Sequence, residues 1–285
     1  MNQNQSRYTG FAVVENFPFI NELYAKGEVE LPEGVFYPNQ CLVLKDGQQS
    51  ALGMVKKDKI VLINPVPVGG IKGRNKEQHL AISLLKDPTI DLVTMTGNAG
   101  SGKTLLAIAY AWEELKAGRR NKIVLSKNFV PVGREIGFLK GDLFDKVRPW
   151  LGNFYDNFEV IGVPEYEIDD LTLPERRYAN RIAEKIEISP ITFIQGRSIS
   201  NAVIVVDEVQ NLSHEVVKQI LTRPAENTKI ILLGDLDQIF EKGLDASNNG
   251  LASVVEAGKD CEFIGHIELI KSERSRLTSW ATQNL

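Results

Sequence analysis

The sequence predicts an α/β protein, a parallel sheet flanked by helices and preceded by a small β-rich N-terminal module. Three observations predict it. Beyond about residue 68, short apolar strand patterns alternate with helix patterns, the signature of βαβ units. A glycine-rich loop joins one of those strands to one of those helices. Residues 1–67, by contrast, carry short β-type runs separated by turn signals.

In the N-terminal module the strand runs are Cys41-Leu42-Val43-Leu44 and Ile60-Val61-Leu62-Ile63, with turns at Asp46-Gly47 and Lys56-Lys57-Asp58-Lys59. Asn64-Pro65-Val66-Pro67-Val68-Gly69-Gly70 forms a boundary, and residues 68–285 make up the larger domain. There Leu92 to Met95 reads as a buried strand. Leu105, Leu106, Ile108, Ala109, Trp112 and Leu115 then trace a largely buried helix that stops at Gly118. Further strands are expected at Ile123–Leu125, Val203–Val206 and Ile230–Leu233. Ser213 is placed to cap a helix carrying Val216, Val217, Ile220 and Leu221. Between 138 and 195 the rhythm breaks into charged sequence, read as a helical insertion.

Composition narrows the function classes. Of 285 residues, 43% are hydrophobic and 25% charged, ordinary for a globular protein. No run approaches the roughly 18 apolar residues of a membrane span, and the first ten residues do not have the pattern of a signal peptide. Cys41 and Cys261 stand apart, as do His79, His214 and His266. That argues against a zinc site or disulfide framework and for a reducing cytoplasm. The net charge of −4 does not favour nucleic acid as a bulk partner, so any such site must be a local groove.

The motifs are more specific. Gly97-Asn98-Ala99-Gly100-Ser101-Gly102-Lys103-Thr104 fits GxxxxGK[ST] after a strand and opening a helix. Its glycines let backbone N–H groups curl round phosphates, and the helix N-terminus adds partial positive charge. Lys103 would reach the β- and γ-phosphates of ATP, and the Thr104 hydroxyl would ligate Mg²⁺. The run Ala202 to Val206 ends in adjacent acids. Asp207 is placed to hold the metal, and Glu208 to orient or deprotonate an attacking water, which implies hydrolysis. A third strand, Ile230 to Leu233, runs into Gly234-Asp235-Leu236-Asp237-Gln238. Ligands in open α/β sheets sit beyond the carboxyl ends of the strands, so Asp235 and Gln238 are expected there, Gln238 as a sensor of nucleotide state.

Together these motifs resemble motifs I, II and III of superfamily 1 helicases, with Arg74-Asn75-Lys76-Glu77-Gln78 similar to their adenine-reading Q motif. The segments Val130–Asn157, Thr192–Ser213 and Gly265–Leu277 are more closely similar to the PhoH-like ATPases. The best match is to the ATPase half of members that also carry a PIN nuclease domain. The likeness runs from about Leu31 to the end. It implies a single RecA-like P-loop domain, a homo-oligomeric ring, hexameric by resemblance, and ATP-dependent RNA unwinding. Gln78 would recognise adenine, and Arg274 would act as an arginine finger on a neighbour's γ-phosphate. Relatives often have Arg-Pro where this chain has Lys127-Asn128. No PIN domain is expected here, and nuclease activity is not carried over. Lys127, Arg134 and Arg197 are candidates for a surface on single-stranded RNA or other nucleic acid. The alternatives are a P-loop kinase acting on a small molecule and a slow ATP-dependent switch.

Overall fold

The computed structural model describes residues 7–128, 152–163, 185–188, 191–194 and 197–273. The first sheet is built from β1 (Phe11–Val14), β2 (Glu28–Glu30), β3 (Cys41–Asp46), β4 (Gln49–Lys56) and β5 (Lys59–Leu62), with α1 (Ile20–Lys26) between β1 and β2. Its order is β1-β3-β4-β5-β2, with β1 parallel to β3 and the other pairs antiparallel. Two-residue turns close both hairpins, since Asp46 pairs with Gln49 and Lys56 with Lys59. The left-handed φ of Gly47 and of Lys57, both 56°, matches the twist such turns need.

Cys41 to Leu44 is apolar throughout because both faces of this sheet are covered. Leu42 and Leu44 pack under Phe17, Ile20 and Leu23 of the α1 region. Cys41, Val43 and Met54 instead join one continuous core with residues beyond 68. Asn39 pins the two together, its Nδ2 donating to the carbonyls of Glu262 (2.8 Å) and Ile264 (2.9 Å).

The second sheet has six parallel strands in the order β11-β6-β10-β9-β7-β8. In chain order its elements are α2 (Lys76–Lys86), β6 (Leu92–Gly97), α3 (Lys103–Lys116), β7 (Lys122–Lys127), α4 (Gly152–Val160), β8 (Ile186–Ile188) and α5 (Ile191–Ile194). There follow β9 (Ala202–Asp207), α6 (His214–Leu221), β10 (Lys229–Gly234), α7 (Gly250–Gly258) and β11 (Ile264–Leu269). Strands β6, β9 and β10 are buried at every position, as expected of a parallel sheet covered on both faces. Alternate residues divide between the two layers. Val93, Met95, Val203, Val205, Ile231 and Leu233 face α2 and α3. Ile204, Val206, Ile230 and Leu232 face Val217, Ile220 and Leu251 on α6 and α7.

Local chemistry sets the helix ends. Asn75, Ser213 and Asn249 cap α2, α6 and α7 through their side-chain oxygens. The C-terminal end of α2 is met by Lys229, buried at the start of β10, which donates to the carbonyls of Leu85 and Asp87, each at 2.7 Å. Burial pushes this lysine down to about 8.

Only parts of the segment read as a helical insertion at 138–195 are among the described residues. They are not all helix, because β8 extends the sheet by pairing with β7. Within α4, Phe154 and Phe158 lie four residues apart on one face, fully buried, and Phe158 meets Trp112 of α3 edge-on at 6.1 Å. That packing lays α4 along α3.

Candidate active site

β10 lies between β6 and β9, so the three motif-bearing strands end side by side. Beyond their carboxyl ends is a cavity of about 650 Å³, the size of a small-ligand site.

The phosphate loop forms its floor. β6 ends at Gly97, where φ is 133° and an added Cβ would come within 2.1 Å of the Leu269 carbonyl oxygen on β11. Glycine is therefore required by close approach as well as by backbone conformation. Gly100 and Gly102 are also left-handed, at φ 81° and 96°, and α3 begins at the next residue, Lys103. The Lys103 ammonium donates to the Gly97 and Asn98 carbonyls of its own loop. Ser101 is fully buried, whereas Ala99 and Gly100 line the cavity.

Thr104 and Asp207 meet across the sheet. The Thr104 hydroxyl donates to Asp207 Oδ2 at 3.3 Å. Asp207 is buried, and its carboxyl is raised above the ordinary range by desolvation and then by the neighbouring Glu208 charge. Glu208 has a left-handed backbone, φ 61° and ψ 34°, which a non-glycine residue adopts at a cost of roughly 1–2 kcal/mol. This turn ends β9 abruptly. Glu208 Oε2 accepts from Gln210 Nε2 at 2.7 Å, and Glu208 Oε1 lies 3.5 Å from Lys127 Nζ.

The loop after β10 is tied to the same group. Gln210 is fully buried; its Nε2 also donates to the Gln238 carbonyl (3.0 Å), and its Oε1 accepts from the Asp235 N–H (3.2 Å). Asp235 accepts from the Asp237 N–H and from Gln238 Nε2, each at 3.0 Å, while burial holds its carboxyl above the usual range. Gln238 lines the cavity, with its amide turned to Asp235.

The far wall comes from the start of α2 and from α4. Gln78 lines the cavity and is nearly buried. Its Oε1 accepts from the Arg74 N–H (2.8 Å), and its Nε2 donates to the Ser101 carbonyl (2.9 Å). A glutamine amide has four hydrogen-bonding positions, so two bonds leave capacity for a base edge. Glu273 sits on the phosphate loop, its N–H donating to the Gly100 carbonyl at 3.0 Å. Asn153 and Asn157 of α4 face the cavity, and Asn153 Nδ2 reaches Asp207 Oδ2 at 3.5 Å.

Gln78, the phosphate loop, Thr104, Asp207, Glu208 and Gln238 are therefore neighbours of one cavity or of its floor. Arg274 and Arg134 lie outside the described residues. Arg197 is ion-paired with Glu187 beside β8, so its charge is already engaged. The sequence reading passed over Gln210, Asn153 and Asn157. Gln210 stands two residues after the acidic pair, and the Phe154/Phe158 spacing is a usable sign that α4 buries one face and presents another.

The donor set suits Mg²⁺. A hydroxyl and a carboxylate, both hard oxygen ligands, meet beside a phosphate-cradling loop, where this ion binds through one or two protein groups plus phosphate. No helix of the described residues is long and apolar enough to cross a membrane.

The profile of the PhoH-like protein family matches residues 70–284. Protein PhoH2 of Bacillus subtilis (strain 168) is 36% identical over 296 residues, which cover 99% of this chain and 65% of that protein. Protein PhoH2 of Thermobispora bispora is 32% identical, over 99% of this chain and 63% of its own length. The PhoH-like protein of Bacillus subtilis (strain 168) is 37% identical over 187 residues, 64% of this chain and 54% of that one. The chain thus spans less than two thirds of the length of these relatives.

Proposed function

We propose that this chain, which belongs to the PhoH-like protein family, binds ATP with Mg²⁺ and hydrolyses it. We propose further that it couples hydrolysis to single-stranded RNA as a homo-oligomeric ring in the cytoplasm. The observation that carries the hydrolytic reading is the Thr104–Asp207 contact at the phosphate loop with Glu208 one residue on. Bound Mg²⁺ would supply charge neutralisation at the β- and γ-phosphates.

The roles of the chain's own residues follow from their chemistry. Loop N–H groups and Lys103 hold the phosphates, while Thr104 and Asp207 hold the metal. Glu208 accepts a proton from the water that attacks the γ-phosphorus, as the bond to the ADP oxygen breaks. Gln238 reports the state of the γ-phosphate to its loop, and Gln78 recognises adenine. Arg274 of a neighbouring subunit completes the charge stabilisation.

The test is phosphate release with and without single-stranded RNA, with mass determined on the same sample. The expected result is Mg²⁺-dependent release that RNA accelerates, from an assembly several times the 31.8 kDa chain. Labelled γ-phosphate recovered on a metabolite would make the protein a kinase instead. Nucleotide-dependent assembly without strand displacement would make it a switch.

A further inference from the structure

We propose that Lys127 restrains Glu208, and that a bound phosphodiester strand releases Glu208 by taking over the Lys127 ammonium. The release step rests on the nucleic-acid reading above. The restraint rests on geometry alone.

Lys127 is the last residue of β7, and the parallel register sets it directly opposite Asp207 on β9. Its ammonium lies 3.5 Å from Glu208 Oε1. The other carboxylate oxygen, Oε2, is held by Gln210 Nε2 at 2.7 Å. Both oxygens of Glu208 thus already have partners. For Glu208 to align a water on the γ-phosphate, the carboxylate must move, and one of these contacts must give.

The two contacts differ in strength. Gln210 is fully buried and makes three hydrogen bonds, to Glu208, Gln238 and Asp235. Withdrawing Glu208 from it removes a charge-assisted bond within a buried network, which is costly. The Lys127–Glu208 pair is partly exposed, with side chains 20% and 32% accessible, and at 3.5 Å it is loose. Pairs of this kind contribute little and are readily screened. Lys127 is therefore the contact that yields, and its flexible stem allows the ammonium to move while the backbone stays in the sheet.

What displaces it must be anionic and must reach the carboxyl edge of β7. A single-stranded phosphodiester backbone presents a run of negative charges for which a lysine ammonium is an ordinary partner. In this arrangement Lys127 makes turnover depend on strand occupancy without contacting a base. The coupling is independent of sequence and weakens with salt.

The experiment measures steady-state ATP hydrolysis by the full chain with and without an oligouridylate at low salt. Wild type is compared with Lys127→Met, Lys127→Arg and the Lys127→Met/Glu208→Gln double variant, with thermal midpoints recorded for each. Lys127→Met is expected to raise basal kcat about two- to fivefold, the size of a partly exposed ion pair. Its KM for ATP should stay unchanged and most of the RNA stimulation should disappear. Lys127→Arg should keep the restraint and the stimulation, and the double variant should be inactive. A fall in basal kcat in Lys127→Met, with stimulation intact and folding unimpaired, overturns the proposal and makes Lys127 a ligand of the phosphates. If Lys127→Met does not fold, Lys127→Gln is read by the same criteria. Wild-type turnover that oligouridylate does not move overturns the nucleic-acid reading itself. A Lys127→Met rise beside that result keeps the restraint and removes the strand as its release.

Discussion

Gln210 Nε2 lies 2.7 Å from Glu208 Oε2, and the same nitrogen donates to the Gln238 carbonyl at 3.0 Å. One buried amide therefore joins the candidate base just after β9 to the loop that follows β10. Gly234 leaves the room this needs: a Cβ there would come within 2.7 Å of Gln210 Oε1. The linkage makes Gln210 a positioning residue. Gln210→Ala is expected to lower kcat about 10- to 100-fold, as loss of an orienting partner does, with KM for ATP nearly unchanged. An equal effect on binding would show that Gln210 supports the pocket as a whole.

Glu208→Gln keeps the volume and the Gln210 contact but cannot accept a proton. It should bind ATP normally and lose hydrolysis by about 10²- to 10⁴-fold. Nucleotide titration beside phosphate release separates the two, and retained turnover would remove Glu208 from the base role.

Asn153 brings α4 to the Thr104–Asp207 side of the cavity, where Mg²⁺ is proposed to bind, through its 3.5 Å contact with Asp207. Asn153→Ala should raise the Mg²⁺ concentration for half-maximal activity about three- to tenfold, the scale of one ordinary hydrogen bond, since at 3.5 Å this contact is long. An unchanged Mg²⁺ titration would leave α4 as a wall only.

His266 on β11 is buried, with Nδ1 2.8 Å from the Thr94 hydroxyl, and burial pushes it down to about 4 from an ordinary value near 6.5. Between those values the unfolded chain binds the proton and the native state does not, so stability falls as pH drops through that window. The loss amounts to at most roughly 3 kcal/mol. Urea midpoints from pH 7 to pH 4.5 should fall more steeply for wild type than for His266→Asn, which cannot titrate. Parallel curves would refute the assignment.

Asn39 holds the first sheet to the approach to β11 from a left-handed backbone (φ 58°), and its Oδ1 accepts from Lys56 Nζ at 2.6 Å. Asn39→Ala removes both of these bonds and the Lys56 contact, and keeps the left-handed backbone without an asparagine. A loss of about 2–4 kcal/mol is expected in urea unfolding. A single cooperative transition in wild type would show that both sheets unfold together, as their shared core implies.

The features legible in the sequence are those whose chemistry is local. The phosphate loop, the Ser213 cap and the strands β3, β6, β9 and β10 all follow from residue types at short spacing. β1 was not foreseen, since Phe11–Val14 has four residues and gains its place by pairing with β3, thirty positions on. The helix Ile20–Lys26 was missed although Gly27, left-handed at φ 80°, is an ordinary helix stop. The 138–195 segment read as an insertion because its charged sequence hides the alternation that β8 continues.

By itself the sequence determined which groups are the candidates for phosphate and metal, because a glycine loop opening a helix and an acid ending a buried strand need only their neighbours to take shape. Tertiary structure decided what those groups are joined to. Setting β10 between β6 and β9 puts Gln210 within reach of Asp235 and Gln238, and the β7–β9 register sets Lys127 beside Glu208. Burial of Phe154 and Phe158 against α3 turns Asn153 toward Asp207. Strand order and register come from contacts between distant segments sharing two hydrophobic layers. Local periodicity specifies that a strand is buried but not which strands flank it.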